Sequence, residues 1–420
     1  MKKFVKFVVI LLCLAMVLSI VPAIVVNAAE APTITTQPKT QKTEAGETAK
    51  FTVKATGDGL KYQWQSSSDG KTWKDCVSGK ATSATFTFTS KTSHSSNYYR
   101  CKITDSTGDV VYTDVVRLYV LGVTTQPKTQ KVAVGETAKF TVAATGASKK
   151  YQWQSSYDGK TWKDCVSGKA TSATFTFTAK TSHSSNYYRC RITDSGGNVV
   201  YTDAVRLYVL GVTAQPTTQK VAVGETVKYT VAATGASKKY QWQSSSDGTT
   251  WKNCVSGKAT SATFTFTAKT SHSSNYYRCR ITDSGGNVVY TDVVRLYVLG
   301  VTTQPTAKTV DTGETVKFTV KATGASKVYQ WQSSSDGGET WKNCTSSKAT
   351  SATFTFTGKE KHDGNLYRCQ IKDSGGNTVY TDAVELTVLK AEEEFPPVTD
   401  PEWSTPTDPE WSTSTDIIWQ

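Results

Sequence analysis

One short phrase recurs four times in this chain, and a sequence that repeats must fold as repeats. Tyr-Gln-Trp-Gln begins at Tyr62, Tyr151, Tyr240 and Tyr329, and Ala-Thr-Phe-Thr-Phe-Thr begins at Ala84, Ala173, Ala262 and Ala352. The period is about 89 residues, the size of one small two-sheet domain. A chain of 420 residues is in any case too long for a single ordinary core. The second and third copies are nearly identical, which points to duplication within the array.

Each copy reads as short strands. Thr, Ser, Tyr and Val are plentiful, Met is scarce and the hydrophobic fraction is only 37%, a profile that favours strands with polar outer faces over helices. Ala49, Phe51 and Val53 alternate with polar residues after Gly46-Glu47-Thr48. Tyr62 and Trp64 alternate with Gln63 and Gln65, so the aromatics face a core and the amides face out. Ser67-Ser68-Asp69-Gly70 is a hairpin turn, because Asp-Gly tolerates left-handed backbone. Phe86 and Phe88 point inward from a third run. Tyr99, Cys101 and Ile103 do so from the next, and Val116, Leu118 and Val120 from the last. About seven antiparallel strands per copy are expected, and no window has a helical period. The joins, such as Leu121-Gly122-Val123, pass from one last strand almost directly into the next first strand. A link without a Ser/Gly stretch predicts a stiff connection.

The ends differ from the repeats. Lys2, Lys3 and Lys6 precede an apolar run from about Val8 to Val26, and Val26-Asn27-Ala28-Ala29 offers small-residue cleavage sites. Residues 1–29 therefore read as a signal peptide, with Cys13 in the discarded part; the alternative is an uncleaved anchor, since the run is long enough to span a bilayer. Residues 390–420 form an acidic tail rich in Pro, Thr and Trp, with Thr-Asp-Pro-Glu-Trp-Ser-Thr at 399–405 and again at 407–413. This tail is expected to be disordered, either a linker or a natural end. The four domains are placed at residues 32–121, 122–211, 212–300 and 301–389. The net charge of +13 is uneven: residues 1–31 carry about +2 and residues 390–420 about −7, which leaves about +18 on the repeats. A basic array suggests anionic partners, unless the lysines serve only solubility.

Eight cysteines follow Cys13, and they fall in pairs 25 residues apart: Cys76/Cys101, Cys165/Cys190, Cys254/Cys279 and Cys344/Cys369. An even count at fixed spacing in an exported chain reads as one disulfide per domain. Each would contribute about 3–4 kcal/mol in the chain-entropy model. The alternative is four pairs of buried, inert thiols.

These residues resemble the immunoglobulin-like domains found in tandem in bacterial cell-surface proteins, over about residues 32–389. Trp64, with Trp153, Trp242 and Trp331, resembles the family's core tryptophan on its third strand. Tyr99, with Tyr188, Tyr277 and Tyr367, resembles the tyrosine-corner residue two before the sixth-strand cysteine. Asp363 stands six residues before Cys369, where the family motif often has an acid; Ser95, Ser184 and Ser273 replace it in the other copies. The family's usual first cysteine would fall at Val53, Val142, Val231 and Val320, so its inter-sheet bridge cannot form. The resemblance implies an all-β array of immunoglobulin-like β-sandwiches and a secreted or cell-surface protein that binds or adheres.

Candidate chemistry is sparse. His94, His183, His272 and His362 occur once per repeat in Ser/Thr-rich loops, without the nucleophile and orienting acid that catalysis needs. Ser334-Ser335-Asp336-Gly337-Gly338-Glu339-Thr340-Trp341 matches the Asp-box of sialidases, a hairpin device that carries no chemistry itself. Asp194-Ser195-Gly196-Gly197-Asn198 has too few carboxylates for calcium. No cofactor, metal site or catalytic residue is expected. What remains is a surface: Gln63, Gln65, Tyr98, Arg100, Lys102, Arg117 and Tyr119 share one outward face. Amides, aromatics and cations in one strip suit an extracellular glycan, an anionic cell-wall polymer or a protein. Nucleic acid is not expected of an exported chain, and contact with membrane is expected only through the signal segment before cleavage. A non-enzymatic binding protein is the first reading, a structural stalk the second and a glycan-active enzyme the third.

Overall fold

The computed structural model describes residues 31–390 except Gly79, Gly168 and Gly257. The signal-peptide and tail expectations lie outside the described residues.

In the first domain the strands are β1 (Thr33–Thr36), β2 (Gln41–Glu44), β3 (Thr48–Thr52), β4 (Lys54–Thr56), β5 (Lys61–Ser67), β6 (Lys74–Asp75), β7 (Thr85–Thr89), β8 (Tyr98–Thr104), β9 (Val110–Tyr112) and β10 (Val116–Thr125). One layer pairs β1 with β4 and β3 with β7, all antiparallel. The other runs β2-β10-β8-β5-β6, with β9 also on β8. Within it β2 lies parallel to β10, and the remaining pairs are antiparallel. Two packed, mainly antiparallel layers joined in this order form an immunoglobulin-like sandwich, and the other three domains repeat it.

The alternation read from the sequence sets the two faces. Along β8 every second residue is buried, so Tyr99, Cys101 and Ile103 enter the core while Tyr98, Arg100 and Lys102 face out. Trp64 is fully buried on β5, opposite Cys101, and its indole N–H donates to the Ser83 carbonyl at 2.9 Å. That bond removes the cost of a buried unpaired donor, so the ring's full area can stabilise the core. Phe51 stacks on Tyr99 at 4.9 Å and Phe86 on Trp64 at 5.8 Å, linking the two layers. Burial pushes the Tyr99 hydroxyl up to about 12.

The serines that replace the family's acid do the same work. Ser95 Oγ accepts the Val120 N–H at 3.0 Å, and Asp363 Oδ1 accepts the equivalent Val388 N–H at 2.8 Å. His94 closes the turn before β8: its Nδ1 accepts the Lys91 N–H at 3.2 Å, and its ring meets Phe88 edge-on at 5.4 Å.

The eight cysteines are free thiols, and this corrects the disulfide expectation. The Cys76 N–H donates to the Trp64 carbonyl at 2.9 Å from one side of β5, while Cys101 pairs with Trp64 from the other. Neighbouring strands lie about 4.8 Å apart, so two steps across the sheet separate these α-carbons by about 9–10 Å. A disulfide spans at most about 7 Å. The same backbone bond places Cys165 against Trp153, Cys254 against Trp242 and Cys344 against Trp331, with Cys190, Cys279 and Cys369 on the far side.

Residues 1–210 and 211–420 form two units, and each contains one junction between domains. In the first unit β10 serves both domains: Leu118–Leu121 pair with β2, and Gly122–Thr125 pair with Ala143–Thr145. Leu121 is fully buried in the second domain's core. Lys42 Nζ donates to the Ser195 carbonyl at 3.4 Å, and the Val199 N–H donates to Glu44 Oε1 at 2.9 Å. A Cβ on Gly196 would stand 2.7 Å from Lys42 Cβ, so only glycine permits this approach. The second unit repeats the contact: Lys220 Nζ donates to Ser374 Oγ at 3.1 Å, and a Cβ on Gly375 would lie 2.6 Å from Lys220 Cβ.

Candidate binding face

The five-strand layer brings the predicted outward residues together. Gln63 is opposite Lys102, Gln65 opposite Arg100, and Tyr98 opposite Arg117, so all lie on one face. The face is more ordered than alternation alone could show. Arg100 donates through Nε to Gln65 Oε1 at 2.8 Å, and Gln65 donates in turn to Asp75 Oδ1 at 2.8 Å. The guanidinium then lies between two rings, with Cζ 4.2 Å from Trp73 and 4.2 Å from Tyr112. A second cluster holds Arg117 Cζ 4.5 Å from Tyr98 and 5.5 Å from Tyr119. Its Nη1 donates to the Tyr119 hydroxyl at 3.3 Å.

Trp73 and Tyr112 were missed in the sequence. Trp73 follows a turn and Tyr112 sits on a three-residue strand, so neither lies in a long alternating run. The turn that positions Trp73 is built by Asp69. Its Oδ1 accepts the Lys71 and Thr72 N–H groups at 2.8 and 2.7 Å, which hold the carboxyl well below the usual range. In the fourth domain the Asp-box turn does the same. Asp336 accepts from Thr340, and the Trp341 indole N–H donates to the Gly338 carbonyl at 3.0 Å. Arg368 Cζ lies 4.0 Å from that ring. The motif is thus a ring-positioning device for an arginine stack.

Gln63 plays a different part from the one its outward position suggests. Its Nε2 donates to the Trp64 and Cys76 carbonyls at 2.9 and 3.0 Å, so the amide ties β5 to the segment after β6. Lys102 lies between Gln63 on β5 and Tyr112 on β9. Its counterpart Arg191 lines a groove of about 420 Å³ with Lys149, Lys150 and Gln152.

The first stack recurs in every domain, with Arg189 between Trp162 and Tyr201, Arg278 between Trp251 and Tyr290, and Arg368 between Trp341 and Tyr380. The second recurs only in the next two, around Arg206 and Arg295. The fourth domain has Leu366 opposite Glu385, and Thr387 beyond, in the places of Tyr98, Arg117 and Tyr119.

Among the described residues no three His, Cys, Asp or Glu side chains converge as a metal site, and no helix is long and apolar enough to cross a membrane. Burial lowers the His94 imidazole below its usual range and raises the Cys76 thiol above its own, and the latter shift disfavours the nucleophilic thiolate.

No curated protein matches the chain. Similar solved structures include the N-terminal four Ig domains of Dscam1 isoform 8.4, at 16% identity over 86% of this chain and 99% of that one, with a TM-score of 0.28. The insect immune protein hemolin is 13% identical over 86% of this chain and all (100%) of its own, with a TM-score of 0.28. Extracellular domains 3–5 of Drosophila OTK are 18% identical over 64% of this chain and 97% of that one, with a TM-score of 0.26. Residues 33–122, 123–211 and 212–300 each match one family, described as a domain of unknown function, DUF8696. These three matches span more than half of the chain, which therefore belongs to that family.

Proposed function

We propose that this is a secreted or cell-surface, non-enzymatic adhesion protein of bacterial type, whose immunoglobulin-like domains present arginine–aromatic strips to anionic ligands. Candidate ligands are extracellular glycans, anionic wall polymers and acidic protein surfaces. The observation that carries this reading is the fourfold stack of a guanidinium between two rings on an outward sheet face. Stacking and the Gln65 bond fix the orientation of Arg100 before any ligand arrives, which lowers the entropy cost of binding. Repetition along one chain turns weak single contacts into avidity.

A stalk is the second reading, and the junctions favour it. A strand shared between two domains and a glycine-gated contact stiffen each unit without calling on the outer face. Binding of the full chain to purified wall polymers, acidic polysaccharides and mucin-type glycans separates the two. Charge reversal at Arg100, Lys102, Arg117 and their counterparts abolishes binding on the first reading. Failure of the unaltered protein to bind any member of the panel favours the stalk.

A further inference from the structure

The four stacks share their geometry and differ in the charge around them. In the first two domains the glutamine that orients the arginine is held by a carboxylate, Asp75 or Asp164. In the second domain that carboxylate also pairs with one neighbouring cation: Arg191 Nη2 lies 3.7 Å from Asp164 Oδ2. In the third domain Gln243 is held instead by the neutral Asn253, at 3.0 Å. The fourth domain also has an asparagine there, Asn343, but carries Glu385 where the others have an arginine. The third face alone combines both arginine clusters with no acid at these positions.

Resting on the binding reading above, we propose that the third domain's outer face is the principal ligand site and that it takes a carboxylate-bearing polysaccharide. Arg278 Nε is used by Gln243 at 2.9 Å, so the two Nη groups form the end of the guanidinium that points away from that bond. This planar fork matches a carboxylate with two parallel hydrogen bonds. Trp251 and Tyr290 lie 4.1 and 4.4 Å from Cζ and restrict the space beside the guanidinium. A flat carboxylate fits that slot better than a tetrahedral sulfate or phosphate. Tyr290 is 46% exposed, so part of it remains open to a sugar. In the first two domains Asp75 and Asp164 sit beside the orienting glutamine as like charges that oppose an incoming carboxylate.

The test uses the full chain and polygalacturonate, with its methyl ester, dextran sulfate and polyphosphate as further arms. Tm and near-ultraviolet circular dichroism check that each variant keeps its fold. Arg278→Gln with Arg295→Gln is expected to weaken polygalacturonate binding at least about tenfold. Asn253→Asp, which adds an opposing carboxylate and removes no cation, is expected to weaken it about threefold or more, against less than about twofold for Arg368→Gln. The methyl ester is expected to bind at least about tenfold more weakly than the free acid. Dextran sulfate or polyphosphate binding as tightly as polygalacturonate overturns the carboxylate assignment. If the third-domain variants bind normally and only substitution of all four stacks abolishes binding, the third-domain assignment fails and the binding reading stands. Binding that survives substitution of all four stacks overturns both.

Discussion

Cys76 and Cys101 approach Trp64 from opposite sides: the Cys76 N–H donates to the Trp64 carbonyl at 2.9 Å, while Cys101 is the tryptophan's cross-strand partner on β8. The strand that carries the tryptophan therefore separates the two thiols. All eight thiols downstream of Cys13 are expected to react with iodoacetamide in denaturant without prior reduction, as counted by intact mass. Reductant is expected to leave Tm unchanged. Burial pushes the Cys101 thiol up to about 12, so native protein is expected to label slowly at that position.

Tyr229 introduces a polar atom at a position where the other domains have Phe51, Phe140 and Phe318. Its ring stacks on Trp242 at 5.7 Å, but its buried hydroxyl has no hydrogen-bond partner. Tyr229→Phe is expected to stabilise the third domain by about 1–2 kcal/mol, because it removes an unpaired buried group and leaves the ring in place. Denaturant unfolding followed by tryptophan fluorescence reads the shift. The reverse change, Phe51→Tyr, is expected to destabilise the first domain by a similar amount.

The junction glycines carry a positional signature. The equivalent of Gly196 and Gly375 is Thr107 in the first domain. Gly196→Thr is expected to loosen the contact between the first two domains by about 1–3 kcal/mol, since Lys42 Cβ occupies the space. Hydrogen exchange at the Val199 N–H, which donates to Glu44, measures it. Thr107→Gly is expected to have little effect on any contact between domains.

The histidines make stability fall on mild acidification. Burial, with help from the nearby lysines, holds His94, His183, His272 and His362 below the ordinary value of 6.5 in the folded state. Unfolded imidazoles then bind protons first as pH drops. Their stabilising contribution is present above about 6.5 and is lost as pH falls through the lower folded values. Tm is expected to be lower at pH 5.5 than at pH 7.5. Replacing all four histidines with glutamine is expected to remove that part of the slope.

The cores and layers were legible in the amino-acid order because strand alternation is local. Phe51, Trp64, Tyr99 and Leu118 are buried where the period of two places them, and Gln65, Arg100 and Arg117 share the face that the same period assigns. Equal spacing of four repeats likewise carried the all-β tandem architecture. What chain order could not carry is which strand lies between two others. Cys76 and Cys101 look like a pair at 25 residues' separation, yet β5 runs between them, and strand order depends on packing across the whole layer. The arginine stacks belong to the same class: Trp73, Arg100 and Tyr112 come from three separate segments and meet only when the sheet closes. A tight turn capped by a carboxylate delivers the first ring, and a three-residue strand delivers the last. Alternation is set by each strand's own backbone geometry, whereas adjacency across strands is set by long-range pairing, and only the folded sandwich decides it.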